Sequence, residues 1–200
     1  IMLESVSRRL TEKGMAHYGS PDKLPEARLK TLELAGQLKV PFTTGILIGM
    51  GETRKERLEA LWAIRELHLR YGHIQEVIIQ NFRAKTDTLM ASSPEPNLAE
   101  LLWTIAAARL MFGPEMSIQA PPNLSPGELQ QLVAAGINDW GGVSPVTPDH
   151  VNPEAPWPHI EKLREETALA GKQLVSRLTV YPKYIADMQQ WLAPQMQGKV

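Results

Sequence analysis

Apolar positions along the chain follow two alternating rhythms. Leu29, Leu32 and Ala35 recur at helical spacing after Pro25, which suits a first helical turn, and predict a helix to about Leu38. Ile46, Leu47 and Ile48 are instead consecutive, as in a strand covered on both faces, so residues 43–48 read as a buried strand. Leu58, Leu61, Trp62 and Leu69 return to helical spacing between Arg54 and about Arg70; Thr53-Arg54-Lys55-Glu56 is a capping box at the start, and Gly72 ends the helix. Val77 to Ile79 predict the next strand. Asn97 then caps a third helix, with Glu100 at the capping-box position, and Gly113-Pro114 stop it. Ser117-Ile118-Gln119 reads as a brief strand. Ser125-Pro126-Gly127-Glu128 is expected to open a fourth helix, which Gly136 closes. Ile137 to Trp140 predict a further strand, and a helix follows from about Pro158 to Ala170. The tail from Leu174 to Tyr181 is expected to form one more strand before a short helix.

Strand and helix alternate from residue 43 onward, the pattern of parallel βα units in an α/β fold. A closed eight-unit barrel takes about 250 residues. The chain is therefore expected to hold the last four to five units of a TIM-like (βα) barrel, as one partial domain over 1–200. A flat doubly wound sheet is the alternative. The opening Ile1-Met2-Leu3-Glu4 reads like the end of a strand, so a longer protein is expected.

Lys plus Arg number 21 and Asp plus Glu 22, which lacks the excess of clustered base that marks a nucleic-acid footprint. No apolar run reaches the roughly 20 residues that span a bilayer, no signal peptide is visible, and a cytosolic protein is expected. There are 16 prolines, most of them between elements, and no cysteine, hence no disulfide framework and no thiolate metal site in these residues.

Ligands of parallel α/β folds bind at the carboxyl ends of the strands. Polar residues fall there repeatedly: Glu4, Glu52, Gln80, Asn81, Gln119, Asn123, Asp139 and Ser144, beside strand interiors read as apolar. Gly45, Gly49 and Gly51 around the 43–48 strand would let another molecule lie against the backbone, and Glu52 would offer it two acceptor oxygens. Gly141-Gly142 would allow a close approach or hold an anion on its amides. Arg28 could reach a carboxylate bidentately, although its helix pattern alone reads as solvated. Lys85 sits in a loop, a poor place for a Schiff-base lysine. His68 and His73 do not share a face, and His17, His150 and His159 read as surface loop residues, so no metal site is expected. Trp157 among prolines reads as a packing plug. No Ser-His-Asp pattern and no phosphate loop is present.

Gly45-Ile46-Leu47-Ile48-Gly49-Met50-Gly51-Glu52 resembles the fifth-strand motif of radical S-adenosylmethionine enzymes, with Leu47 in place of the usual isoleucine. Ser20-Pro21-Asp22-Lys23, Pro41-Phe42-Thr43-Thr44-Gly45, Gly72-His73-Ile74-Gln75-Glu76, Ile79-Gln80-Asn81-Phe82, Pro121-Pro122-Asn123-Leu124, Asn138-Asp139-Trp140-Gly141-Gly142 and Ser144-Pro145-Val146-Thr147 resemble the 7,8-didemethyl-8-hydroxy-5-deazariboflavin (FO) synthase family over nearly the whole chain. The resemblance implies a radical lyase that cleaves S-adenosylmethionine at a 4Fe–4S cluster. The resulting radical would abstract hydrogen from a tyrosine-derived 4-hydroxybenzyl adduct of ribitylaminouracil. Ring closure with loss of ammonia would then give the deazaflavin precursor of coenzyme F-420. It also implies a functional link to the sister subunit that makes the adduct. Carried over by position, Glu4, Arg28, Gly45, Gly49 and Glu52 resemble the S-adenosylmethionine-binding residues. Gln80, Asn81, Gln119, Asn123, Asp139 and Ser144 lie where the substrate would sit.

The family hangs its cluster from three cysteines, and this chain has none. They are expected in a preceding N-terminal part, without which the chain should be inactive and should expose an unpaired strand edge. The alternatives are a sister radical enzyme of deazaflavin or menaquinone biosynthesis, and a non-catalytic barrel fragment.

Overall fold

A computed structural model describes residues 1–144 and 146–197; Pro145, inside the Ser144–Thr147 motif, lies outside the described residues. Three parallel strands form the sheet in sequence order: β1 (Phe42–Ile48), β2 (Ile74–Asn81) and β3 (Ser117–Gln119). Single parallel bridges extend it at both sides, Glu4 beside Ile46 and Asp139 beside Gln119. Five strand positions thus lie side by side in chain order, joined through α1 (Pro25–Gln37), α2 (Arg54–Tyr71), α3 (Leu98–Phe112) and α4 (Leu129–Ala135). Each helix packs on the next, and α4 packs on α5 (Ile160–Leu169). This is α/β architecture consistent with part of a (βα) barrel.

The core fills the space between sheet and helices. Ile46, Ile48, Val77, Ile79 and Ile118 are buried in one cluster with Leu61 and Ile64 of α2 and Leu101 and Ile105 of α3. Residues of the other strand parity, Thr43, Gly45 and Leu47 on β1 and Glu76, Ile78 and Gln80 on β2, share the opposite face. Gly45 is required by packing: a Cβ there would lie 2.1 Å from the Ile78 carbonyl oxygen, so β1 and β2 approach as they do only without a side chain.

Local chemistry sets the helix starts and stops. Thr53 accepts from the Glu56 amide and the Glu56 side chain returns to the Thr53 amide, completing the capping box of α2; Gly72 closes the helix in the left-handed region. Asn97 accepts from the Glu100 amide at the start of α3, but the Glu100 carboxylate turns away to Arg54 and Arg57.

Three expectations change. Ser125-Pro126-Gly127-Glu128 forms a turn, and α4 begins only at Leu129 with no side-chain cap. The strand expected over 137–140 shrinks to the Asp139 bridge. The strand expected over 174–181 is irregular, and it is followed by α6 (Pro182–Ala186) and α7 (Met188–Trp191). That segment is held by side chains rather than by a ladder: Gln75 Nε2 donates to the Thr179 carbonyl at 3.3 Å, the Tyr181 amide donates to Gln75 Oε1 at 3.3 Å, and Tyr184 donates to the Gly72 carbonyl at 2.9 Å. No helix among the described residues is long and apolar enough to cross a membrane.

Candidate active site

The expected site residues fall into separate clusters along the sheet. The first surrounds Glu4, a non-glycine residue at φ 64°, a sparsely populated conformation that carries strain. The bridge to β1 holds it there: its amide donates to the Gly45 carbonyl at 3.0 Å and its carbonyl accepts from the Leu47 amide at 3.1 Å. The carboxylate contacts Lys23, lies 3.1 Å from His17 Nε2 and lies 3.5 Å from Arg28 Nη1. Burial opposes its charge, yet His17 and Lys23 outweigh burial and hold its pKa below the usual carboxylate range. His17 and Arg28 are both buried, against the expectation of a surface histidine and a solvated arginine. Arg28 spends its donors inside the protein, on the carbonyls of Asp22 and Met2, both at 2.6 Å.

The second cluster is the Gly49–Glu52 turn. Glu52 Oε1 accepts from the Gly49 amide at 2.8 Å and from Arg57 Nε at 2.6 Å, and Oε2 accepts from the Met50 amide at 2.8 Å. Arg57 continues to Glu100 Oε2 at 2.7 Å, and Arg54 meets the same carboxyl group, also at 2.7 Å. Gly49 at φ 94° lets the turn form, and a Cβ there would strike Pro96. Both oxygens that the sequence offered to a ligand are bonded within the turn.

The third cluster joins β3 to the fifth strand position. Gln119 Nε2 donates to the Trp140 carbonyl at 3.2 Å, while its Oε1 is buried without a partner. Asp139 accepts from the Gly141 amide at 2.6 Å, Arg177 Nε at 2.6 Å, Arg177 Nη2 at 2.9 Å and the Tyr181 hydroxyl at 2.9 Å. Burial alone would raise its pKa, but Arg177 and the Gly141 amide hold it below the ordinary range. Glu76, inside β2, shares Arg177 at 3.3 Å and accepts from Thr43 Oγ1 at 3.2 Å. Burial, then the charge of Asp139, push the Glu76 pKa up.

The remaining residues complete the rim. Asn81 donates to the Leu124 carbonyl at 3.2 Å, and Asn123 donates to Asp149 Oδ2 and the Ala155 carbonyl, both at 2.9 Å, leaving its own buried Oδ1 unpartnered. Gln80 is half-buried beside Leu47 in the register. Ser144 accepts from the Thr147 amide and hydroxyl and closes a local turn. Sequence reasoning passed over His17, Lys23, Arg57, Glu76, Arg177 and Tyr181. Glu76 stands in the Gly72–Glu76 motif, but an acid inside a strand runs against the expectation of apolar strand interiors. Arg177 had no local signal.

An iron–sulfur cluster takes thiolate ligands. The chain has no cysteine, and no group of three His, Cys, Asp or Glu among the described residues converges as a metal site, so these residues do not fit a cluster. They fit S-adenosylmethionine in part. Glu4 presents a carboxylate at a strand tip, and Lys23, one-third exposed, is a cation within reach of solvent. Arg28 gives only two of its five donors to backbone carbonyls, so what limits its reach to a ligand carboxylate is burial and not a lack of donors.

No protein-family profile matches the chain. Curated relatives do. The chain is 57% identical over 202 aligned residues to a protein of Mycobacterium tuberculosis named FO synthase, covering 100% of this chain and 24% of the relative. It is 52% identical over 201 residues to the FO synthase of Streptomyces coelicolor, covering 23% of that protein. It is 55% identical over 185 residues to the 7,8-didemethyl-8-hydroxy-5-deazariboflavin synthase of Methanopyrus kandleri, covering 92% of this chain and 55% of the relative. The chain thus spans about a quarter of the first group and about half of the archaeal protein.

Proposed function

We propose, from the premise that this chain is homologous along its length to one segment of the FO synthases, that it forms the C-terminal portion of a radical S-adenosylmethionine barrel in an enzyme making the deazaflavin precursor of coenzyme F-420. The observation that carries this reading is the identity of 57% and 55% to bacterial and archaeal synthases over nearly the whole chain. The alignment of five parallel strand positions in chain order supports it, because such strands deliver their polar tips to one rim. S-adenosylmethionine, held in part by Glu4 and Lys23, would supply the hydrogen-abstracting chemistry together with a 4Fe–4S cluster bound by residues outside this chain. The substrate is the tyrosine-derived 4-hydroxybenzyl adduct of ribitylaminouracil made by the sister subunit, and ring closure with loss of ammonia classes the enzyme as a lyase. The setting is the cytosol.

In this reading the chain's residues bind and orient. Glu4 and Lys23, kept rigid by Arg28 and His17, face the amino-acid end of S-adenosylmethionine. The Gly45–Glu52 strand and turn form a wall beside its adenosyl part, with Glu52 shaping the turn from within. Gln80, Asn81, Gln119, Asn123, Asp139 and Ser144 lie toward the substrate, where fixed amides and carboxylates would hold uracil and ribityl groups.

The test uses the entire open reading frame containing this chain, with its cluster reconstituted without oxygen and given reductant, S-adenosylmethionine and the adduct. A fluorescent deazaflavin is the expected product. Cleavage of S-adenosylmethionine without that product would point to a sister radical enzyme. No cleavage, from a reading frame lacking a cysteine triad, would point to a non-catalytic fragment, the reading that the missing cysteines favour.

A further inference from the structure

A cavity of about 640 Å³ opens between the fifth strand position, α4, α5 and the 172–179 segment. Its size falls in the range of small-molecule sites. Ile137, Trp140, Val143, Leu163, Leu174 and Val175 supply apolar wall. Thr43, Glu76, Asp139 and Arg177 supply a polar floor on the sheet. The two carboxylates of that floor are provided for unequally. Asp139 takes two guanidinium donors, an amide and a phenol hydroxyl. Glu76 has one hydroxyl at 3.2 Å and one long guanidinium contact at 3.3 Å, although it is only 5% exposed. Two buried carboxylates therefore share one guanidinium, and Glu76 keeps unused acceptor capacity beside open volume. A buried carboxylate in that position is stabilised by a further cation. The other charged groups lining the cavity are Arg164, which pairs with Glu161, and Lys172, which is exposed.

We propose that this cavity binds an organic primary ammonium compound with an apolar body, the ammonium donating to Glu76 and the body lying against Ile137, Leu163 and Leu174. The apolar wall selects the body, and the carboxylate that shares Arg177 with Asp139 selects the charge. The inference rests on the cavity, whose floor shares Asp139 with the residues placed toward the substrate, and the probe titration tests it apart from product formation.

The test is calorimetric titration of the protein encoded by the entire open reading frame containing this chain with phenethylamine, 2-phenylethanol and 3-phenylpropionate, which share an apolar body and differ in charge. Phenethylamine should bind at least about tenfold more tightly than the alcohol, the discrimination expected of a hydrogen bond to a charged group. The anion should bind most weakly. Glu76→Gln should remove the preference for the amine while leaving binding of the alcohol unchanged. Lys172→Ala should leave amine binding unchanged or strengthen it. Val175→Trp, at the exposed mouth, should weaken all three probes and serves as the check if Glu76→Gln folds poorly by circular dichroism. Equal affinities for the three probes, no binding of any, or an amine preference that survives Glu76→Gln would each overturn the proposal. Deazaflavin formation by the whole enzyme together with failure of this titration would remove the cavity inference alone.

Discussion

Glu52, just past β1, and Glu76, inside the neighbouring β2, are both buried carboxylates, and the protein treats them differently. Glu52 receives two backbone amides and a buried arginine, all within 2.8 Å. Glu76 receives one hydroxyl and one long guanidinium contact, and burial with Asp139 pushes its pKa up. A satisfied buried carboxylate is a piece of architecture, whereas an under-satisfied one beside open volume is a position with chemistry to spare. The acid made conspicuous by its motif is thus the more structural of the two.

The largest expected effect separates them directly. Glu52→Gln leaves Arg57 short of a partner and one turn amide facing an NH₂ group, and should cost about 3 kcal/mol in urea unfolding. If Glu52→Gln and Glu76→Gln cost the same, the contrast fails. Gly45→Ala tests the close approach of the strands that carry these acids. Overpacking against the Ile78 carbonyl should cost about 2–3 kcal/mol, read as a lowered melting temperature.

Glu56→Ala is next. It removes half of the α2 capping box and the Arg9 pair, and should cost about 1–2 kcal/mol. Burial opposes the Glu56 charge, but Arg9, Ser7 and Thr53 lower its pKa to about 2. Its contribution is therefore present above the unfolded carboxylate pKa and is lost as pH falls through about 2. Parent and variant should converge in stability in strong acid, and a constant gap across pH would contradict this. The smallest effect has the opposite sign. Glu76 holds its proton more tightly when folded, so stability is highest below the unfolded carboxylate pKa and declines as pH rises through the folded value. Glu76→Gln escapes that decline and should gain less than about 1 kcal/mol at neutral pH, within the range of modest single substitutions. The gain should vanish in acid, as followed by melting temperature against pH.

What could be read along the chain was what is local. The Thr53–Glu56 box, the Asn97 cap and the Gly72 stop act over three or four residues, and each bounds its helix as expected. The apolar run at Ile46–Ile48 marks β1, but only Ile46 and Ile48 enter the core, while Leu47 on the other face is half-buried. Reading failed where distant partners decide. The 174–181 segment carries strand-forming residues, yet Gln75 and Asp139 hold it by side chains, so no ladder forms. The burial of Arg28 and His17 follows from Met2, Asp22 and Glu4, which helix or loop patterns do not show. The strand-tip rule located Asp139 and Glu52 but not Glu76, which becomes a floor residue only when Arg177, 101 positions later, crosses the cavity.

That separation has a consequence for the order of assembly on the ribosome. At roughly 5–20 residues per second, Arg177 is synthesised about 5–20 s after Glu76. For the last 38 residues of this interval, roughly 2–8 s, the nascent chain holds both Glu76 and Asp139 without their counterion, so settling of the Asp139 bridge beside β3 should wait on the last stretch of translation.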